Sequence, residues 1–183
     1  ESLQKAFDKR KLQAEKIVTD YSFHQSITAW NDNTAEQMEN AVTQQGITSF
    51  KTYLTYSDTI GINLTLLEKV MEKAAELHAI VLVHAEMGDL NDQLAAEYKD
   101  SEMPAAHIHQ ATHPAESEEE AIKEILKLTK KTNCRTYIVH VSTKGGIEAI
   151  HQAKQEGLPI FAETCPQYFL LHDEIFFKPD QFS

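Results

Sequence analysis

The chain of 183 residues, 42% of them hydrophobic, is long enough to form one compact domain with its own core. Its formal net charge of −11 and isoelectric point near 5.2 argue against nucleic acid or an anionic membrane as a partner, because both require clustered Lys and Arg. No apolar run approaches the length needed to cross a bilayer. Cys134 and Cys165 lie in or beside apolar runs, which favours two reduced thiols in a cytoplasmic protein over a disulfide.

The chain begins with Glu rather than Met, and residues 1–18 already have a helical pattern, so we expect a piece of a longer protein. From residue 20 onward, strand-like and helical segments alternate. The expected strands cover residues 20–30, 47–56, 79–86, 135–142 and 159–166. The expected helices cover residues 33–46, 64–78, 89–98, 117–133 and 146–156, with a loop between about 98 and 115.

Helix ends carry recognisable signals. Asn33–Glu36 and Ser117–Glu120 resemble capping boxes, in which a polar side chain at the start of the helix bonds a backbone N–H three residues later. Gly46 and Gly157 are expected to end the helices that precede them.

Near-continuous apolar strands alternating with helices predict a parallel sheet with right-handed crossovers. Two α/β architectures fit: an open doubly wound sheet, or part of a (β/α)8 TIM barrel. A full barrel takes about 250 residues, and only five of its eight strands are visible here. No G-x-G-x-x-G or G-x-x-x-x-G-K-[ST] motif follows any strand, which removes the usual phosphate-binding reason for an open sheet.

Lys51 stands in the middle of the apolar segment ITSFKTYLTY at residues 47–56. We expect this strand to be covered on both faces. A buried ammonium group is costly unless it is paired, neutralised or chemically changed.

Two histidines accompany the lysine: His84 ends the run IVLVH, and His140 ends the run TYIVH. Because side chains at the carboxyl ends of parallel strands point into a shared mouth, we expect Lys51, His84 and His140 to meet there. Neutral imidazoles in such a mouth are good ligands for Zn²⁺ and similar ions. The alternative is that all three are structural, as hydrogen-bonded histidines and a lysine that reaches water from an edge strand.

Five motifs resemble, in this order and spacing, the D-hydantoinase/dihydropyrimidinase family of cyclic amidohydrolases. They are GITSFKTYLTY, VLVHAE, HQATHP followed by an acidic helix, YIVHVS and FAETCPQY. The resemblance covers essentially the whole chain and implies a (β/α)8 barrel, of which this chain supplies the third through seventh strands. Residues 1–183 would then be the central part of a single catalytic barrel domain, with its N- and C-terminal parts outside this sequence.

The resemblance also implies a metal site. Lys51 would be carboxylated by CO₂ to a carbamate that bridges two divalent metal ions, expected to be Zn²⁺, and His84 and His140 would bind the second metal. A hydroxide between the metals would attack the carbonyl of a cyclic amide, a hydantoin or dihydropyrimidine ring, and Tyr56 would hydrogen-bond the developing oxyanion. Tyr56 has the opposite strand parity to Lys51, so it must lie past the strand end or beyond a bulge.

Some of the family's residues have no counterpart in the sequence, namely the first-strand H-x-H pair and the eighth-strand aspartate base. We therefore expect the 183 residues alone to be inactive. The H-x-H formed by His107 and His109 precedes the acidic helix and is not expected to be the ligand pair. His109 and His24 match family histidines to which we assign no catalytic or ligand role. Met87 and His113 stand where the family usually has Asn and Arg.

Allantoinases and dihydroorotases carry the same lysine and histidines, so they remain alternatives, as does a non-catalytic dihydropyrimidinase-like scaffold protein. Scaffold relatives tend to lose the three residues, and their presence here favours an enzyme. We expect the full-length protein to be a homo-oligomer, a dimer or tetramer, that acts on a small cyclic amide. Two open sheet edges and an exposed apolar face predict that the isolated chain either self-associates or is the ordered part of something larger.

Overall fold

The computed structural model describes residues 2–172 and residue 174. Within this part of the chain the strands are β1 (Gln25–Ser26), β2 (Ser49–Tyr53), β3 (Ile80–His84), β4 (Arg135–Ile138) and β5 (Ile160–Ala162). The helices are α1 (Leu3–Ala14), α2 (Thr34–Gln45), α3 (Leu64–Glu76), α4 (Gly88–Glu97), α5 (Ala105–Thr112), α6 (Ala115–Thr132) and α7 (Lys144–Gln155). A 3₁₀-helix, Pro166–Phe169, follows β5.

The strands form one parallel sheet in the order β1-β2-β3-β4-β5. Lys51 of β2 lies opposite Leu82 of β3, and Tyr53 lies opposite His84. A doubly wound sheet reverses its strand order at a switch point, whereas a (β/α)8 barrel adds each strand beside the preceding one. The observed order confirms the parallel α/β fold and selects the barrel, of which the described residues contain five consecutive strands, the first four each followed by at least one α-helix.

The core lies between one face of the sheet and the layer formed by α2, α3, α6 and α7, which neighbour one another in that order. Its fully buried side chains include Phe50, Val81, Val83 and Ile138 from the strands and Met38, Leu67, Met71, Ile122 and Ile125 from the helices. Each of these side chains contributes about 1.5–3 kcal/mol by leaving water. The core therefore fixes the position of the strands, and through them the residues at their carboxyl ends.

Among residues 2–172 and 174, no helix layer covers the other face of the sheet. In β2, Phe50 and Thr52 are buried, whereas Lys51 and Tyr53 are only partly buried, and the same alternation continues in β3. The prediction that the lysine strand is covered on both faces is therefore wrong for this chain. The helices pack on one side only, so every second strand residue faces an open concavity.

Several predicted segments are longer or shorter than the observed elements. Residues 20–30 were expected to form a strand, but only Gln25–Ser26 pairs with β2. The region expected to be a loop contains α5, which packs against α4. This helix spans only eight residues, and its cap residue Pro104 offers no side-chain hydrogen bond, so the usual start signal is missing.

The helix ends follow the predictions better than the helix starts. Gly46 and Gly157 end α2 and α7 with φ angles of 71° and 81°, in the left-handed region that glycine adopts without strain. Asn33 does precede α2, but its side chain makes no capping bond. The second predicted capping box is wrong, because α6 begins at Ala115 after Pro114, and Ser117 lies inside its first turn.

Both cysteines are free thiols, as predicted, with Cys134 buried and Cys165 partly exposed. Across residues 2–172 and 174, the structure contains no helix that combines the length and the apolar character needed to cross a membrane.

Candidate metal centre

The open face of the sheet forms a concavity of about 810 Å³. Its lining includes Lys51, Tyr53, His84, Tyr137, His140 and Glu163. The predicted lysine and both predicted histidines therefore share one site, at and beyond the carboxyl ends of β2, β3 and β4. The prediction that the three side chains meet there is confirmed.

Lys51 projects from the middle of β2, and its Nζ atom is buried without a hydrogen-bond partner among the described residues. The Nζ atom lies 4.7 Å from the ring centroid of Tyr53, the next residue on the same strand face. Burial lowers the pKa of Lys51 to about 8, against the opposing attraction of Glu163. The amine therefore loses its proton far more easily than an exposed lysine does.

His84 is the last residue of β3, and His140 follows β4 by two residues. Their rings meet edge to face, with centroids 4.6 Å apart and planes at 74°. His84 Nε2 is buried and has no hydrogen-bond partner in the described part of the chain, since the nearest carboxylate oxygen, Glu86 Oε1, is 3.7 Å away. Burial, together with the nearby His84 and Lys51, lowers the pKa of His140, which keeps its imidazole neutral at pH 7.

Tyr56 lies beyond the end of β2, as its strand parity predicted. It has a φ of 64°, which is unusual for a residue with a side chain, and it is 47% exposed. Its ring centroid is 5.5 Å from that of His84 and 6.4 Å from that of Tyr53. The turn therefore places the Tyr56 ring beside the rings of His84 and Tyr53, which both line the concavity.

These residues fit a divalent metal if the lysine is converted to an anion. Nowhere in the described ranges do three His, Cys, Asp or Glu side chains converge as a potential metal site. Two close imidazoles, one with a buried unpaired nitrogen, could supply nitrogen ligands, and an oxygen anion on Lys51 would add an anionic one.

Glu163 was not predicted as part of the site. It follows β5 on the concave side, where its carboxylate accepts a hydrogen bond of 3.2 Å from the Tyr137 hydroxyl and acts electrostatically on Lys51. The rule that identified the histidines also applies to Glu163, because it stands directly after an apolar strand.

Comparisons with known proteins match the chain over nearly its whole length. A D-hydantoinase from Geobacillus stearothermophilus is 36% identical over 165 residues, which cover 90% of this chain and 35% of the relative. The crystal structure of dihydropyrimidinase from Brevibacillus agri NCHU1002 superposes with a TM-score of 0.94 at 35% identity, covering 98% of this chain and 39% of that one. No family model matches the sequence.

The chain is a homologue of the D-hydantoinases and dihydropyrimidinases.

The chain spans little more than a third of the length of these relatives. The mouse dihydropyrimidinase-related protein 5 is a further relative, at 33% identity over 89% of this chain and 29% of its own length. The resemblance inferred from the five motifs is thus confirmed.

Of the histidines to which the hydantoinase resemblance gave no role, His107 and His109 lie outside the concavity, whereas His24 is part of its lining. His107 and His109 are both on α5, and the ring of His109 packs 4.3 Å from that of His113. His24 is exposed, and its Nδ1 atom is 2.6 Å from the Ser49 hydroxyl.

Glu86 forms a second polar cluster next to the site. It accepts a hydrogen bond of 2.8 Å from Asn91, and His113 Nε2 lies 3.9 Å from its Oε2 atom. Burial raises the pKa of Glu86, but contacts with His84, His113 and Asn91 outweigh burial and leave that pKa below its ordinary value. The His113 ring therefore faces the Glu86 carboxylate.

Proposed function

We propose that Lys51, His84 and His140 form part of a divalent metal centre, and that the full-length protein containing this chain hydrolyses a cyclic amide, a hydantoin or dihydropyrimidine. One observation carries the proposal above all: the buried Lys51 Nζ atom has no hydrogen-bond partner in the described ranges, and it shares its concavity with two close imidazoles. Structural lysines and histidines are paired or solvated, whereas metal ligands need free lone pairs.

Lys51 would act after reaction with CO₂. The neutral amine attacks the carbon atom of CO₂, a C–N bond forms, and one amine proton leaves to solvent, which produces a carbamate anion. The lowered pKa of Lys51, about 8, favours this step because only the unprotonated amine is a nucleophile. The carbamate oxygens would then serve as anionic metal ligands.

His84 and His140 would supply the neutral nitrogen ligands. The lowered pKa of His140 keeps its ring unprotonated at neutral pH, so no proton has to be displaced for binding. When bound, the metals, expected to be zinc, would supply Lewis acidity and a water of lowered pKa.

Tyr56 would hydrogen-bond the substrate carbonyl oxygen as negative charge develops on it. Its ring stands beside His84 at the mouth of the site, and its partial exposure leaves the hydroxyl accessible to a ligand. The strained φ of 64° supports a functional role, because such conformations cost about 1–3 kcal/mol and concentrate at functional sites.

A non-catalytic scaffold is the second candidate, favoured by the similarity to the mouse dihydropyrimidinase-related protein 5. Such a protein would share the fold without using the three polar residues as ligands. Metal content distinguishes the two functions.

The test uses the full-length protein purified from cells and analysed for metals by mass spectrometry. The proposal predicts about two zinc ions per chain in the wild type and a loss of bound metal in Lys51→Ala. The matched control is Lys144→Ala, which removes an 89% exposed lysine and should retain the metal. A metal-free wild type that folds normally, or unchanged metal in Lys51→Ala, would contradict the proposal.

A further inference from the structure

Two consecutive residues in the first turn of α6, Ser117 and Glu118, are buried at 0% and 8% exposure. The sequence pattern suggested that Ser117 caps its own helix. Ser117 and Glu118 bond instead to two different loops, Ser117 to the loop that follows His84 and Glu118 to the loop that contains His140.

Glu118 holds the loop after β4. Its carboxylate accepts hydrogen bonds from the backbone N–H groups of Ser142 (3.0 Å) and Thr143 (2.8 Å), and from their hydroxyls (3.0 and 2.6 Å). A buried carboxylate is costly without such donors, and charge-assisted bonds of this kind are roughly twice as strong as neutral ones. The loop is therefore fixed two and three residues after His140.

The backbone of His140 needs such support. Its φ of 43° lies in the left-handed region, which costs a residue with a side chain about 1–2 kcal/mol. Before His140, Val139 N–H donates to Val83 O at 3.2 Å, and after it, Val141 N–H donates to Glu163 O at 2.8 Å. The bonds to Glu118 hold the next two residues, Ser142 and Thr143, so the chain that leaves the strained residue is fixed over three consecutive positions.

Ser117 holds the loop after β3. The Met87 N–H donates to the Ser117 hydroxyl at 2.9 Å and is 3.2 Å from the Ser117 carbonyl oxygen. Met87 follows His84 by three residues. One turn of α6 is thus bonded to the loop that follows His84 and to the loop that contains His140.

We propose that Ser117 and Glu118 are positioning residues of the metal centre, which set the distance between the His84 and His140 rings by joining both loops to one helix end. The proposal rests on the proposed metal site for its functional consequence. Groups that orient ligands in this way typically change metal affinity by 10–100-fold when they are replaced.

The experiment compares Glu118→Gln with Glu116→Gln in the full-length protein. Both changes remove one negative charge from the first turn of α6, but Glu116 is exposed. Glutamine keeps one acceptor oxygen, but its NH₂ group would face the N–H and hydroxyl donors of Ser142 and Thr143. The loop after His140 should therefore shift. In the metal-free protein we expect the NMR signals of the His140 imidazole to move in Glu118→Gln and not in Glu116→Gln. After metal removal and zinc titration, we expect about 10–100-fold weaker zinc binding in Glu118→Gln alone.

A milder variant guards against failure to fold. Ser142→Ala removes one hydroxyl donor to Glu118 and leaves the other bonds, so it should move the same signals and weaken zinc binding by a smaller factor. The proposal would be overturned if a folded variant showed no movement of the His140 signals and no change in zinc affinity. A variant that differs from the wild type only in a lower melting temperature would also overturn it. A wild type that binds no zinc would refute the proposed function, and the His140 signals would then decide the positioning role alone.

Discussion

The rings of His84 and His140 lie 4.6 Å apart, edge to face, although three helices separate the two residues in the chain. The two strands that precede them are parallel neighbours, so their carboxyl ends meet at one edge of the sheet. Burial, together with the nearby His84 and Lys51, lowers the pKa of His140, so its imidazole remains neutral more readily than that of an exposed histidine. The fold itself thus brings the two imidazoles together.

Tyr56→Phe removes a hydroxyl and keeps the ring in its turn. If Tyr56 stabilises an oxyanion, kcat for hydantoin or dihydrouracil should fall about 10²–10³-fold in the full-length protein, with metal content unchanged. The control is Tyr53→Phe, which removes a hydroxyl from the neighbouring ring of the same site. Equal losses in both variants, or none in Tyr56→Phe, would contradict the role of Tyr56.

The stability of the metal-free chain should rise between about pH 8 and pH 10.5. Over this range Lys51 is neutral in the folded state, where its pKa is about 8, but still protonated when unfolded, where its pKa is 10.5. The unfolded state then binds more protons, so raising the pH favours folding, by about 1–3 kcal/mol after allowance for partial exposure.

The measurement is denaturant unfolding in CO₂-free buffer with a chelator. Lys51→Met has no ionisable group at this position, so it should be more stable than the wild type at pH 7, and this advantage should shrink as the pH rises above 8. Subtracting the free energies of unfolding of the wild type and the variant at each pH cancels the contributions of the other titrating groups. A difference that does not depend on pH would show that Lys51 is not desolvated.

The two cysteines should react at very different rates. Cys134 is fully buried, and burial raises its pKa to about 12, so its thiolate fraction at pH 8 is about 1000-fold lower than that of an ordinary thiol. Iodoacetamide should therefore modify Cys165 in the native chain and Cys134 only after unfolding. Peptide mass spectrometry measures both sites, and Cys165→Ser should leave the native chain unmodified. Rapid native labelling of Cys134 would contradict the observed burial.

Phe50 and Phe161 test which face of the sheet supports the fold. Phe50 is fully buried beneath the helices, whereas Phe161 is 40% exposed on the strand that ends the sheet. Phe50→Ala should lower the free energy of unfolding of the 183-residue chain by about 3–5 kcal/mol. Phe161→Ala should lower it by about 1–2 kcal/mol. Equal losses in urea unfolding would argue against a core on one side of the sheet.

Much of the site could be predicted from neighbours along the chain. Lys51 in an apolar strand and His84 and His140 at strand ends are such local patterns, and the structure brings these three residues together. Tyr56 was assigned by the family resemblance, and the structure places its ring past the end of the strand and beside His84. The prediction from the sequence was wrong at Ser117, where the pattern S-E-E-E resembles a capping box. The backbone N–H of Met87, thirty residues earlier, donates a hydrogen bond to the Ser117 hydroxyl instead. A local sequence pattern cannot predict a contact between residues this far apart in the chain.

By itself, the sequence determined the alternation of strands and helices, the parallel sheet and the residues at its carboxyl ends, because periodicity and the cost of burying polar groups act over a few neighbouring positions. Only the tertiary structure decided that one sheet face stays open, that Lys51 is desolvated, and that Ser117 and Glu118 bond the loops after both histidines. These features depend on distances through space, since desolvation and hydrogen bonding are set by whichever atoms the folded chain brings together.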